Sequence, residues 1–233
     1  MRALSSASVL DLWEKGLSLH PLDRSLLALG ATVSGTPRES PADWPLGRRN
    51  RALAELHSFW FRPNLQAWVA CPQCGEKLEF ELDGPSLLAR EEPSSMEPVT
   101  VNGLAFRLPT SRDLARVAGE TDARRAAVRL LESCLEGNEP PEWSEEDLER
   151  IGQKLALADP MAETRIGLQC SECRHEWNEN LDISEFLWAE IEARAKHLLW
   201  EIHSLAAVYG WSEAEILSLS EMRRSRYLEM VNQ

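Results

Sequence analysis

The sequence predicts a mainly helical α+β chain, and three observations carry that prediction. Two short motifs, Cys71-Pro72-Gln73-Cys74 and Cys170-Ser171-Glu172-Cys173, each have the form of a tight turn presenting two thiolates to one tetrahedral metal. Residues of strand character adjoin them. Lys77-Leu78-Glu79-Phe80-Glu81-Leu82 alternates polar and apolar after the first pair, and Trp177 and Leu181 follow the second. Elsewhere helical spacing dominates, most clearly in Leu187, Ile191, Ala195, Leu198, Ile202, Leu205 and Tyr209, which step by four or three. Together these read as two knuckles of a split zinc ribbon separated by a helical insertion. Pro72 fixes φ early in the first turn, and Gly75 just after it adopts positive φ freely.

Residues 75–169 separate the pairs, far more than the usual gap of about 15–20 residues. The longer loop costs a little over two doublings of length, at roughly 0.6 kcal/mol each. Structural zinc contributes on the order of 10–16 kcal/mol in small peptides, which covers that cost. Cys71, Cys74, Cys170 and Cys173 are therefore the expected ligands of one structural Zn2+. Two redox pairs or four unrelated thiols remain as alternatives, although neither pair opens a helix in a βαβ unit as a redox CxxC does. His175 lies close enough to Cys173 to substitute as a ligand, but four thiolates already complete the tetrahedron, so it is expected to be exposed beside the site. Cys134 falls on the Val128/Leu131/Leu135 side of a helical run and reads as a small buried hydrophobe.

Taken in order, residues 1–64 form an N-terminal helical region. Leu10, Leu12, Trp13 and Leu17 have helical spacing, Pro21 interrupts, and Asp23 caps Arg24–Leu29. Residues 31–46 read as a loop, followed by a short helix over Arg51–Phe59. The Arg48, Arg49, Arg51 cluster reads as a solvated face or a salt-bridging loop. Residues 65–84 plus 160–182 form the ribbon, with Arg165–Leu168 as a short strand. The insertion 85–159 carries a hairpin over 98–108 turning at Asn102-Gly103, then helices over 111–118, 121–136 (closed by Gly137) and 144–158. Residues 183–233 form a helical interaction module. A capping box at Asp182–Glu185 opens the long helix and Gly210 ends it; Ser212 and Ser220 open two more helices. No internal repeat is read in the chain.

The formal net charge of −13 is unevenly placed: residues 132–190 hold sixteen acidic and four basic side chains. Such a balance disfavours generic nucleic-acid binding, which needs Lys and Arg against phosphate, and favours protein partners. The spacing Ala206, Gly210, Ile216 matches a helix-turn-helix, leaving a zinc-ribbon nucleic-acid-binding regulator as the alternative function. Its would-be recognition helix, however, starts with Glu213 and Glu215 where phosphate would lie. Phe186, Trp188 and Trp200 are either core or a partner groove. His197 and Glu201 stand four apart and read as a surface contact. No HExxH, phosphate loop or GxSxG elbow occurs, so no enzyme is expected. Without a long apolar run or a signal-like N-terminus, the expected location is cytoplasmic, with no membrane partner.

One stretch carries more. Leu181-Asp182-Ile183, Phe186-Leu187-Trp188, Glu201-Ile202-His203-Ser204-Leu205-Ala206, Tyr209-Gly210-Trp211-Ser212-Glu213, Ile216–Leu219, Arg223-Arg224 and Tyr227-Leu228, in that order, resemble the T4-like phage base plate protein family. Within it the nearest likeness is to the branch found in clusters for phage-tail-like contractile injection systems. The paired cysteines and Phe106-Arg107-Leu108-Pro109-Thr110 are similar to features of that branch. The resemblance implies a non-enzymatic component or assembly factor of a baseplate. Its partners would be baseplate, hub, spike or tube proteins, possible residues of contact being Trp188, Trp200, His203, Tyr209, Trp211, Arg223, Arg224 and Tyr227.

Overall fold

The computed structural model describes residues 3–32, 39–89, 97–137 and 140–231, and is mixed α+β with helix predominating. The spine is the long helix α8 (Ile183–Tyr209), against which α1 (Ser6–Gly16), α2 (Pro21–Gly30) and α3 (Leu46–Trp60) pack. Its predicted stripe is the packed one. Leu187, Ile191, Ala195, Leu198 and Leu205 are buried and Ile202 is half-buried, while Tyr209 at the end emerges. Along its length α8 serves three apolar clusters. The main one joins it to Leu12, Ala28, Leu29, Leu53 and Leu56; a second to Val9 and Leu10; a third to Ile216 of α9 (Glu213–Ser218) and Leu228 of α10 (Glu221–Val231).

Helix starts follow their caps more often than their prolines. Pro21 begins α2, where its missing N–H is no loss, and His20 Nδ1 accepts the amide of Leu22 at 3.2 Å. The helical run is broken just before it, over residues 17–20, as expected, but Asp23 sits inside the first turn of α2 instead of capping it. Helix α3 starts at Leu46, earlier than the Arg51 its apolar spacing suggests, and takes the basic cluster with it. Arg48 pairs with Glu39 and Arg51 with Glu55, as expected of solvated arginines. Arg49 departs from that reading. It is buried, with Nε and Nη2 donating to Asn50 Oδ1 and Nη1 to Ser111 Oγ, because the insertion folds down over it. Of the predicted loop at 31–46, residues 33–38 lie outside the described residues.

The insertion is a lobe with its own core of Val101, Phe106, Leu108, Leu131, Cys134, Trp143, Ile151 and Leu155. Strands β3 (Val99–Val101) and β4 (Leu104–Phe106) meet at Asn102 and Gly103, whose φ of 52° and 79° suit a type I′ turn. Helices α5 (Ser111–Val117), α6 (Ala123–Cys134) and α7 (Glu145–Ala158) follow. The predicted second helix ends early. Leu135-Glu136 forms β5 (β1 and β2 being Leu65–Ala70 and Lys77–Leu82), pairing with Ala105 and Phe106 and completing a three-stranded sheet. Polar contacts tie the lobe and the segment just after it to α3: Gly47 N donates to Asp159 Oδ2 at 2.8 Å, Leu46 N to Pro109 O at 3.0 Å, and Asn50 Nδ2 to Met161 O at 2.8 Å.

Asp113, nearly inaccessible at the start of α5, braces the lobe from within. Burial pushes its carboxyl up, but Arg107 in a two-nitrogen clamp and the hydroxyl and amide of Thr110 outweigh that and bring it to about 2. A depressed carboxylate contributes stability above its unfolded value of 3.8 and loses it as pH falls towards about 2. The wild type should therefore lose about 2 kcal/mol through this group over that window. In urea melts at pH 5 and pH 2.5, Asp113→Asn should show a correspondingly shallower acid loss. Equal losses in the two chains would remove Asp113 from the acid response.

Candidate metal centre

The cysteine turns sit at the tips of two hairpins of the same design. Strands β1 (Leu65–Ala70) and β2 (Lys77–Leu82) pair from Leu65 with Leu82 to Ala70 with Lys77. Strands β6 (Thr164–Gln169) and β7 (Glu176–Leu181) pair from Thr164 with Leu181 to Gln169 with Glu176. Each residue of the first hairpin has its counterpart at one constant offset in the second: Leu65 and Thr164, Cys71 and Cys170, Leu82 and Leu181. The correspondence continues into the next helix. Asp83 caps the short α4 (Gly84–Leu88) through the amide of Ser86, and Asp182 caps α8 through the amide of Ser184. The chain does contain an internal structural repeat. Its sequence trace is thin, because outside the cysteines and the Leu-Asp ending the two copies share only the in–out alternation.

Both turns close in the same way. Cys71 N donates to Glu76 O at 2.8 Å and Gly75 N to Cys71 O at 2.9 Å; Cys170 N donates to His175 O at 2.9 Å and Arg174 N to Cys170 O at 3.0 Å. The residue after each second cysteine is left-handed: Gly75 at φ 76° and Arg174 at φ 59°. Glycine takes that conformation freely, whereas at Arg174 the Cβ is crowded and only the closed turn holds it.

All four Sγ atoms lie within 4.8 Å of one another. Cys71 Sγ is 3.6 Å from Cys173 Sγ and Cys74 Sγ is 3.5 Å from Cys170 Sγ. These are not disulfides, whose sulfurs stand about 2.05 Å apart. They are near the edge of about 3.8 Å expected for four sulfurs around a metal at about 2.3 Å. Cys71 and Cys170 are buried at the base of the cluster, and Cys74 and Cys173 face outward.

The thiols compete for ionisation. Burial pushes Cys71 up, but the amides of Cys74 and Gln73 and the neighbouring thiols donate to its sulfur and bring it down to about 7. At Cys74 the amide of Glu76 pulls down, yet burial and the three other sulfurs prevail and push it up to about 12. Cys173 is likewise pushed up, with burial and Cys170 and Cys71 outweighing the amide of His175. One thiolate forms readily and resists the next, as expected of like charges in contact. A dication at the centre removes that repulsion, so the donor set suits a metal that replaces protons.

Other candidate residues separate into two groups. His175 is half-buried, not exposed as expected, with its ring stacked 5.9 Å from Trp177. Cys134 is fully buried in the lobe core, as its helical position suggests. Trp188 belongs to the interior: the Arg24 guanidinium lies 5.0 Å over its ring, and a Cβ on Gly16 would fall 2.0 Å from it. Arg224 is also interior, donating through Nε to Glu201 Oε2 at 2.7 Å, through Nη1 to Leu219 O and through Nη2 to Ser6 Oγ. Both are therefore withdrawn from any contact surface. Glu201 is buried too, so its pairing with His197 at 3.0 Å is the outer edge of a buried network and not a surface contact. A pair spaced like Glu201 and Arg224 carries no local signal in sequence.

The remaining candidates are all at least partly exposed within the C-terminal helical module. Trp200 is 47 % exposed and stacks on His197, and His203 and Arg223 are exposed. Tyr209, Trp211 and Tyr227 form a ring cluster with centroids 4.6, 4.9 and 5.6 Å apart, its rings partly open to solvent. Among the described residues no helix is long and apolar enough to cross a membrane. Compared with family models, curated proteins and solved structures, the chain matches none of them.

Proposed function

We propose that this chain is a non-enzymatic scaffold or assembly protein of a phage-tail-like contractile injection apparatus, fastened by one structural zinc on a split ribbon. Zinc is the fitting metal for four cysteine sulfurs. With four thiolates the coordination shell is complete, leaving no position for a water or a substrate, which favours a structural over a catalytic role. The order of C-terminal residues from Leu181 to Leu228 supports the apparatus. The single observation that carries the docking role is the aromatic cluster of Tyr209, Trp211 and Tyr227, which lies partly open at the end of α8. Large, stiff aromatic rings at a partly exposed site supply much contact area at little entropic cost. Trp200, His203 and Arg223 are exposed elsewhere on the same helical module.

The test is affinity purification from cells expressing the whole apparatus, with the wild type and with Trp200→Ala/Tyr209→Ala. Wild type should recover a baseplate, hub, spike or tube protein. The double variant, melting at an unchanged temperature, should lose it by tenfold or more. Recovery of none of these partners sinks the proposal. Binding to duplex DNA near physiological salt, weakening as salt rises, would favour the nucleic-acid regulator instead.

A further inference from the structure

The sulfur contacts with hydrogen-bond geometry both cross from one hairpin to the other: Cys71 with Cys173 at 3.6 Å, and Cys74 with Cys170 at 3.5 Å. Each crossing pair joins one buried sulfur to one exposed sulfur. Cys71 and Cys170 are 2 % and 1 % exposed, whereas Cys74 and Cys173 are open to solvent. The fifth thiol, Cys134, is sealed in the core of the lobe and takes no part. An accessible sulfur backed by an inaccessible one is the arrangement that oxidation to a disulfide needs: the first meets the oxidant, and the second waits to resolve it.

We propose that the clasp is also a site of reversible oxidation by hydroperoxides, with Cys74 and Cys173 attacked and Cys170 and Cys71 resolving. This rests on the metal reading of the site and not on the injection-apparatus reading. In the first step Cys74, which is pushed up in the bare cluster but which a bound metal would hold as thiolate, attacks a hydroperoxide. An S–O bond forms, the O–O bond breaks, and the alkoxide leaves as an alcohol (water, for hydrogen peroxide) on taking up a proton. The product is a sulfenic acid. The Cys170 thiolate then attacks that sulfur, forming the S–S bond and breaking the S–O bond, and hydroxide departs as water once protonated. The same sequence at Cys173 and Cys71 consumes a second hydroperoxide, so four thiolates give up four electrons to two oxidant molecules. The metal, stripped of thiolate ligands, is released.

Crossing geometry decides the outcome for the fold. Each pair must close from 3.5 or 3.6 Å to about 2.05 Å, a small movement at two hairpin tips. The resulting bonds join the hairpins at the points where the metal joined them. Oxidation thus determines whether metal is held, while the tie across the base of the lobe is kept.

The experiment uses the whole chain purified with its zinc. Hydrogen peroxide is added in the presence of a chromogenic zinc chelator, and the product is digested without reduction for peptide mapping. Expected are release of nearly all the zinc, linked peptides containing Cys71 with Cys173 and Cys74 with Cys170, and Cys134 still open to alkylation after denaturation. Dithiothreitol followed by zinc should restore the starting state. Disulfides within each turn, sulfinic acid on Cys74 or Cys173, or zinc retained at peroxide levels that fully oxidise glutathione would each overturn the proposal alone. A chain that purifies without metal and takes up none would overturn the metal reading and this proposal together.

Discussion

A Cys170→Ser chain is expected to lose its metal and, with it, the folded state of both hairpins. Neither hairpin is stable alone: each has only two strands, and an isolated two-stranded hairpin is marginal in water. Their bases rest on the main core through Leu82, Ile166 and Leu181, but the tips meet at the cysteine cluster. Structural zinc is worth on the order of 10–16 kcal/mol in peptides, comparable to the whole stability of a domain at about 5–15 kcal/mol. Metal content should fall from about one zinc per chain to near zero. The melting transition should drop by tens of degrees or be replaced by aggregation, and Cys71→Ser should behave alike. Cys134→Ala supplies the contrast, losing some stability from its buried site but keeping its metal. Metal analysis and thermal melts with and without a chelator check these outcomes. Full metal occupancy in Cys170→Ser, or a wild type indifferent to chelation, would refute the clasp.

Glu201→Ala and Arg224→Ala should each cost about 3–5 kcal/mol, the penalty for stranding one member of a buried ion pair. Arg224 and Glu201 side chains are 1 % and 6 % exposed, with the charged groups 2.7 Å apart. All three guanidinium nitrogens donate: besides Glu201 they reach Leu219 O at 2.7 Å and Ser6 Oγ at 3.0 Å. It therefore fastens α10 at once to α8, to the end of α9 and to the start of α1. The double replacement Glu201→Leu/Arg224→Met should recover much of the loss, because apolar residues of similar volume leave no charge unsatisfied. Denaturant melts of the two single variants and the double variant measure the coupling. Single losses below about 1 kcal/mol would show that the pair is solvated and is not the fastening of the C-terminal module.

What could be read from the sequence was local. The two cysteine turns, the Asn102-Gly103 hairpin, and the caps at Ser144, Asp182 and Ser212 are each set by neighbours within a few residues. The long stripe of α8 was legible because twenty-seven residues sample its period many times over. What escaped was non-local. Leu135-Glu136 looks like the end of a helix, and only pairing with Ala105 and Phe106 makes it a strand. Arg49 sits in a run that looks solvated, and only the arrival of Ser111 buries it. Strand β1 was implied by the ribbon alone, since its alternation is weak around Ala67 and Ala70. The hairpin repeat escaped because its two copies keep the burial pattern while almost all the side chains differ.

That repeat also sets an order of events during synthesis. The first two thiols leave the ribosome well before their partners. At about 5–20 residues per second, the delay is roughly 5–20 s. A metal ion that meets Cys71 and Cys74 in that interval finds half a site. The lobe from Val99 to Ala158, with a core of its own, has time to fold before Cys170 and Cys173 emerge. Completion of the cysteine cluster is thus a record that everything between its halves has been made, and an ion bound there would seal a chain already shaped.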